Sequence, residues 1–218
     1  DLLLRLKRYR LRSKVELADD TDAWRVALVW GEAESAVTPD SAIAYVDPRL
    51  PALGRRVLVP AGEAVAFAPA GVSAAPFLAY EHLRRSLGIG ASPDDLLVEK
   101  SFLMESGFDE LAGIDWRKGC YVGQEVTART KYRGLVRRRL TPVVLGSGSP
   151  AEDGRISQAG RDVGELRSHA DGMGLAMLKL EALDGAEPLQ CGDAILHPTR
   201  PAWWNATLST GPADAATE

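Results

Sequence analysis

Between Lys118 and Glu125 the chain reads Lys-Gly-Cys-Tyr-Val-Gly-Gln-Glu, a run that sets a thiol among glycines and charged groups. Gly119 and Gly123 bracket Cys120 and permit tight turns and close approach of a ligand to the backbone. From Val122 onward, Gln124, Glu125, Val126, Ala128 and Arg129 suit a helix that breaks at Gly134. Cys120 then stands just ahead of a helix N-terminus, beside Arg117 and Lys118. Free amides and positive charge favour the thiolate, the form of cysteine that attacks and ligates. The other reading of Cys120 is a small apolar residue buried in a turn.

No partner completes a nucleophilic constellation. His82 falls on an expected helix, and His169 and His197 fall at expected strand ends, so a Cys–His pair would have to come from the fold. No H-x-x-x-H spacing is present, and no metal site is expected. Gly146-Ser-Gly148 and Gly172-Met-Gly174 read as loop or hairpin glycines, not as a phosphate loop or a dinucleotide fingerprint. The run Arg133-Gly-Leu-Val-Arg-Arg-Arg139 offers cations suited to phosphates or to a polyglutamate tail. As a strand, it would place Arg137 and Arg139 on one face and Arg138 on the other, which weakens the idea of a single patch.

The remaining composition bounds what can hold these groups. The 218 residues are 45% apolar and 26% charged, enough for a sizeable core in one or two domains. No run of about 18 uncharged apolar residues occurs, so no membrane span is expected. Cys120 and Cys191 are too few for a disulfide framework and read as two reduced thiols. The net charge of −4 is uneven, with six bases before residue 15 and eight between Arg117 and Arg139. Two basic segments on an acidic body suit a local anionic ligand better than a nucleic-acid surface. The opening Asp-Leu-Leu-Leu-Arg has neither an initiator Met nor a signal pattern, and is expected to follow a missing segment.

Leu2, Leu3, Leu6 and Tyr9 recur at helical spacing, so residues 1–12 are expected to form an amphipathic helix with a basic outer face. Strands are expected at 15–17, 24–30, 43–46 and 56–59, and a helix at 77–87 ended by Gly88 and Gly90. Ser92-Pro-Asp-Asp95 reads as the cap of a short helix through Leu96, Leu97 and Val98. Short β-like runs near 135–145, 161–169, 173–180 and 193–196 suggest a small antiparallel barrel or sandwich. The expected organisation is an α+β region over 1–133, a β domain over 134–208, and a disordered tail over 209–218.

The segment Leu111-Ala-Gly-Ile-Asp-Trp-Arg-Lys-Gly-Cys-Tyr-Val-Gly-Gln-Glu-Val-Thr-Ala-Arg-Thr-Lys-Tyr-Arg-Gly134 closely resembles the signature of the YgfZ/IBA57 family, K-G-C-Y-x-G-Q-E followed by an Arg and then R-G. Leu6-Lys-Arg-Tyr-Arg-Leu-Arg-Ser-Lys-Val-Glu-Leu17, Asp47-Pro-Arg49, Leu53-Gly-Arg55 and Gly160-Arg-Asp-Val-Gly164 resemble the same family. The resemblance implies a fold like the T-protein of the glycine cleavage system. That fold has two interleaved α+β domains and a C-terminal antiparallel β-barrel around an opening that admits a folate.

It also implies tetrahydrofolate binding and a role in making or maintaining iron–sulfur proteins, with assembly proteins or client [4Fe–4S] enzymes as partners. Carried over by position, Cys120 is the implied working thiol. Lys118, Gly119, Tyr121, Gly123, Gln124, Glu125 and Arg129 are implied to face the folate. Glu105, in Met104-Glu-Ser-Gly107, resembles the folate-contacting Glu of the T-protein relatives. The implied compartment is the cytoplasm in a bacterium or the mitochondrial matrix in a eukaryote. Two other readings are an aminomethyltransferase, which the cysteine-bearing motif disfavours, and a module that binds RNA or protein through the basic segments.

Overall fold

The computed structural model describes residues 2–31, 40–63, 72–132, 134 and 136–204, and the chain divides into two compact units. The first comprises Asp1–Asp47 and Pro51–Ala74. It holds helix α1 (Leu2–Tyr9) and strands β1 (Trp24–Val29), β2 (Ile43–Val46) and β3 (Arg55–Pro60), in the antiparallel order β1-β3-β2. Val29, Val57 and Val59 are buried on one face of this sheet, where their branched side chains suit the pleat. Gly54 leads into β3 at φ +82°, and a Cβ there would lie 2.1 Å from the Val29 carbonyl oxygen. Only glycine permits that approach. Buried Asp47 donates its N–H to the Gly54 carbonyl at 2.9 Å and accepts from Arg56 Nε at 2.8 Å, which closes the loop between β2 and β3.

One expectation fails in this unit. Residues 15–17 are not a strand, because they find no ladder partner among the described residues. The expected helix forms over Leu2–Tyr9, and none of its residues is buried.

The second unit comprises Pro48–Leu50 and Ala75–Glu218. It contains α2 (Phe77–Ser86), α3 (Gln124–Tyr132) and six strands: β4 (Arg138–Leu145), β5 (Arg155–Gln158), β6 (Arg161–Ala170), β7 (Met173–Lys179), β8 (Leu189–Cys191) and β9 (Ala194–Pro198). These strands form a closed barrel in the order β4-β7-β6-β5-β8-β9. The α+β class with a C-terminal antiparallel barrel therefore holds. Val143, Ile156, Leu178, Leu189 and Leu196 fill the interior, together with Cys191. β5 and β8 were not expected: each is only a few residues long and carries little alternation to reveal it. The expected tail over 209–218 lies outside the described residues.

A buried ionic cluster ties α2 to the barrel. Asp95 is fully buried and accepts from Arg84 Nη1 at 2.7 Å, from the Ala91 N–H at 2.9 Å, and from the Ser168 hydroxyl of β6. Arg84, itself 4% exposed, also grips Glu81 through Nε at 2.9 Å and Nη2 at 2.7 Å, and donates to the Ile89 carbonyl. Arg85 adds a bond to Glu81 at 3.2 Å and another to Ser168 at 3.2 Å. Asp95 is thus no helix cap. Its oxygens are committed to Arg84, Ala91 and Ser168, and residues 96–98 form no helix, with Ser101 Oγ accepting the Leu97 N–H at 2.8 Å.

Removing one member of such a cluster leaves an uncompensated buried charge. Asp95→Ala should therefore destabilise the chain by about 3–5 kcal/mol in a denaturant titration. A second outcome concerns acid. The hydrogen bond from Arg84 holds the Glu81 carboxyl below its ordinary value, with the charges of Arg84 and Arg85 helping against burial. The folded form is therefore favoured above the unfolded carboxyl value and loses that support as pH falls through the lowered one. The melting temperature should drop below about pH 4, and Glu81→Gln should flatten that part of the profile.

Candidate functional site

The cysteine loop precedes α3 and is shaped by its two glycines. Gly119 sits at φ +91° and Gly123 at φ +89°, a region that side-chain-bearing residues rarely enter. Between them Cys120 lies exposed on the surface, so the buried-cysteine reading is set aside. The Gln124 side chain reaches back to accept the Tyr121 N–H at 3.0 Å, while its own N–H donates to the Tyr121 carbonyl at 3.2 Å. This reciprocal pair works as half of a capping box and starts α3. Lys118 Nζ lies 4.7 Å from the centre of the Tyr121 ring, a cation–π contact that holds the lysine over the loop. Glu125 and Arg129 lie exposed in the first and last turns of α3, each at the end where its sign suits the helix dipole.

Three carboxylates on one short stretch hold this loop's surroundings. Glu105 accepts from Arg138 Nε at 3.3 Å and Nη2 at 3.2 Å. Asp109 accepts from Lys131 Nζ of α3 at 3.2 and 3.0 Å, and from the Trp116 indole. Glu110 pairs with Arg139 at 2.7 Å, both side chains being only 3% exposed. Lys131 also lies 4.2 Å from the Trp116 ring centre, and Trp116 meets Tyr132 edge-on with centroids 6.3 Å apart. Trp116 thus clamps the residues just before the cysteine loop onto the last turn of the helix that follows it.

The turn carrying the carboxylates is itself fixed. The Leu140 N–H donates to the Glu105 carbonyl at 2.9 Å, and Met104 and Ser106 are buried. Gly107 faces the Trp203 ring, where a Cβ would come within 2.6 Å of it, and Trp203 Nε1 donates to the Leu87 carbonyl at 2.7 Å.

Of the residues singled out in the sequence, Lys118, Gly119, Cys120, Tyr121, Gly123 and Gln124 come together in one loop, with Glu125 and Arg129 along α3. Glu105 stands apart from them, bonded to Arg138. Asp109, Trp116, Lys131 and the pair Glu110–Arg139 were missed. Asp109 and Lys131 are 22 residues apart and Glu110 and Arg139 are 29 apart, so no local spacing announces these pairs. Of the Arg133–Arg139 run, Arg133 lies outside the described residues, while Arg138 and Arg139 serve different carboxylates. Among the described residues no three His, Cys, Asp or Glu side chains are grouped to hold a metal ion, and no helix is long and apolar enough to cross a membrane.

The profile of the CAF17 C-terminal β-barrel domain matches residues 137–206, which span the whole barrel. An iron–sulfur cluster assembly factor IBA57 homolog, mitochondrial, from Pyricularia oryzae is 34% identical over 82% of the chain and 52% of its own length. The chain belongs to the YgfZ/IBA57 family. Proteins of the same name from Coccidioides immitis (33% identical, 84% of the chain and 51% of theirs) and Neurospora crassa (38%, 64% and 34%) agree. This YgfZ/IBA57 chain spans about half the length of the curated relatives it matches.

Its two thiols occupy opposite environments. Burial raises the Cys191 thiol above its ordinary value, so at pH 8 it stays protonated and shielded, while Cys120 meets solvent. A thiol reagent should modify one cysteine of the native chain rapidly and the second only in denaturant. The variant Cys120→Ala should be inert until unfolded, as counted by mass spectrometry.

Proposed function

We propose that this chain is the thiol-bearing part of an iron–sulfur cluster assembly factor that also binds a tetrahydrofolate. The observation that carries the reading is the exposed Cys120, held by Gly119 and Gly123 in a loop that α3 and the Trp116–Lys131–Asp109 clamp keep in place. A single thiolate does not fill the coordination of a cluster, which takes four ligands. A partner, either an assembly protein or a client enzyme, would therefore supply the rest. The exposed placement of Cys120 suits such sharing, with the cluster as cargo and not as a resident group. In a eukaryotic source, the naming of the relatives as mitochondrial supports that compartment.

The side chains of the loop and of α3, and separately Glu105, suit the parts of a folate. Glu105 is a carboxylate fixed by Arg138, and it suits the N–H edge of a pterin. Lys118 and Arg129 are cations suited to the glutamate carboxylates, and Tyr121 gives an aromatic surface. Gly119 and Gly123 leave the backbone open to a ligand, while Gln124 and Glu125 at the start of α3 add polar groups. When bound, the tetrahydrofolate would supply the amine that carries one-carbon units.

The test has two arms. Cys120→Ala should fold like the parent, yet fail to restore [4Fe–4S] enzyme activity in cells lacking the endogenous factor. Full restoration removes the thiol from the reading. In the second arm, titration with tetrahydrofolate should weaken by about tenfold in Glu105→Ala and change little in Cys120→Ala, tenfold being about 1.4 kcal/mol. Equal affinity in Glu105→Ala and the parent removes Glu105 from the folate site. Aminomethyl transfer to tetrahydrofolate by the protein would replace the assembly reading with the T-protein one.

A further inference from the structure

We propose that a depression on the outer wall of the barrel, lined by Arg138, Arg155, Arg167 and Lys179, binds a small dianion such as a phosphate group or a pair of carboxylates. The depression has a volume of about 340 Å³. Four adjacent strands each give it one base: Arg138 from β4, Lys179 from β7, Arg167 from β6 and Arg155 from β5. Arg138 and Lys179 are cross-strand partners in the β4–β7 ladder, so two of the cations stand side by side.

Two irregularities of β6 fall within this lining. The β6–β7 register shifts between Leu166 and Ser168, which makes Arg167 the extra residue of a bulge. A second shift, in the β5–β6 ladder, makes Val163 another. Bulges re-aim side chains and gather beside functional sites. Arg167 is 12% exposed and donates to Glu165 at 3.1 Å, yet its buried Nε has no acceptor among the described residues. Buried guanidinium N–H groups are ordinarily met, and a bound oxyanion would meet this one.

Of the four bases, Arg138 is already held by Glu105 and Arg167 by Glu165, so the cations with the weakest carboxylate pairing are Arg155 and Lys179. Asp162 lies 3.9 Å from Arg155, with both side chains well exposed, a pairing of little strength in water. Lys179 gives one hydrogen to the Asp162 carbonyl at 2.8 Å and meets no carboxylate among the described residues. Its remaining donors are therefore open to a ligand. A dianion fits better than a monoanion, because it can engage the Lys179 ammonium and a guanidinium together.

The site shares Arg138 with the Glu105 pair of the proposed folate site, so its test varies Lys179 and Arg155, which that reading does not use. The 218-residue chain would be titrated calorimetrically with inorganic phosphate and, in parallel, with γ-glutamylglutamate, at ionic strength fixed by chloride. Saturable binding is expected, weakened on the order of tenfold in Lys179→Gln, the loss of one charge-assisted contact. Arg155→Gln, a change at an exposed side chain that leaves folding intact, should weaken it as well. Tighter binding of phosphate assigns the site to phosphate esters, and tighter binding of the dipeptide assigns it to dicarboxylates. No saturation with either anion, or equal affinity in the parent and both variants, overturns the proposal.

Discussion

A carboxylate with no access to water, Asp95, sets the constraint on which the second unit is organised. A charge in that position must be met on several sides, and it is met from α2, from the loop after it and from a barrel strand. The helix therefore docks in one register, because sliding it by a residue would strand both Asp95 and Arg84. α2 lies against β4 and β7, and the ionic cluster supplies the address. Glu81 and Arg85 extend the cluster toward the surface, which makes it sensitive to acid at its outer end.

A second set of ionic contacts performs the same work for the cysteine loop. Glu105, Asp109 and Glu110 take bases from the start of β4 and from α3, so one turn fixes both elements at once. The two pairs with deeper partners differ in kind. Glu110–Arg139 is shut away and further covered by Trp204, whose ring centre is 4.6 Å from the guanidinium. Asp109–Lys131 remains at the rim, reinforced by an aromatic face. The loop they surround is left exposed, an arrangement suited to a group that must be reached by a large partner.

Much of this was readable in advance. α2, α3, the three strands of the first unit and four of the six barrel strands follow from periodicity and from glycine punctuation, because those signals are local. The bracketing of Cys120 by glycines was legible for the same reason, as Gly119 and Gly123 do adopt the backbone region that only glycine enters easily. The failures were of another kind. Asp95 carries the composition of a helix cap, and only its distance to Arg84 in space reveals a buried counter-ion. The helical spacing of the α1 leucines did give a helix, but spacing does not say whether anything covers them. The three carboxylate clasps join residues far apart in the chain, so they leave no pattern to read.

Closure of the barrel has a consequence for motion. β9 returns to β4 through Val143–Leu145 and Leu196–Pro198, so every strand of the barrel has two neighbours. Where its strands are paired on both sides, the backbone amides have no free edge, and their exchange with solvent deuterium is expected to be slow. The sheet of the first unit is different: β1 and β2 each pair on one side only among the described residues. Its outer amides can exchange by peeling one strand at a time. A single chain thus carries two clocks, a slow one set by a ring and a faster one set by edges.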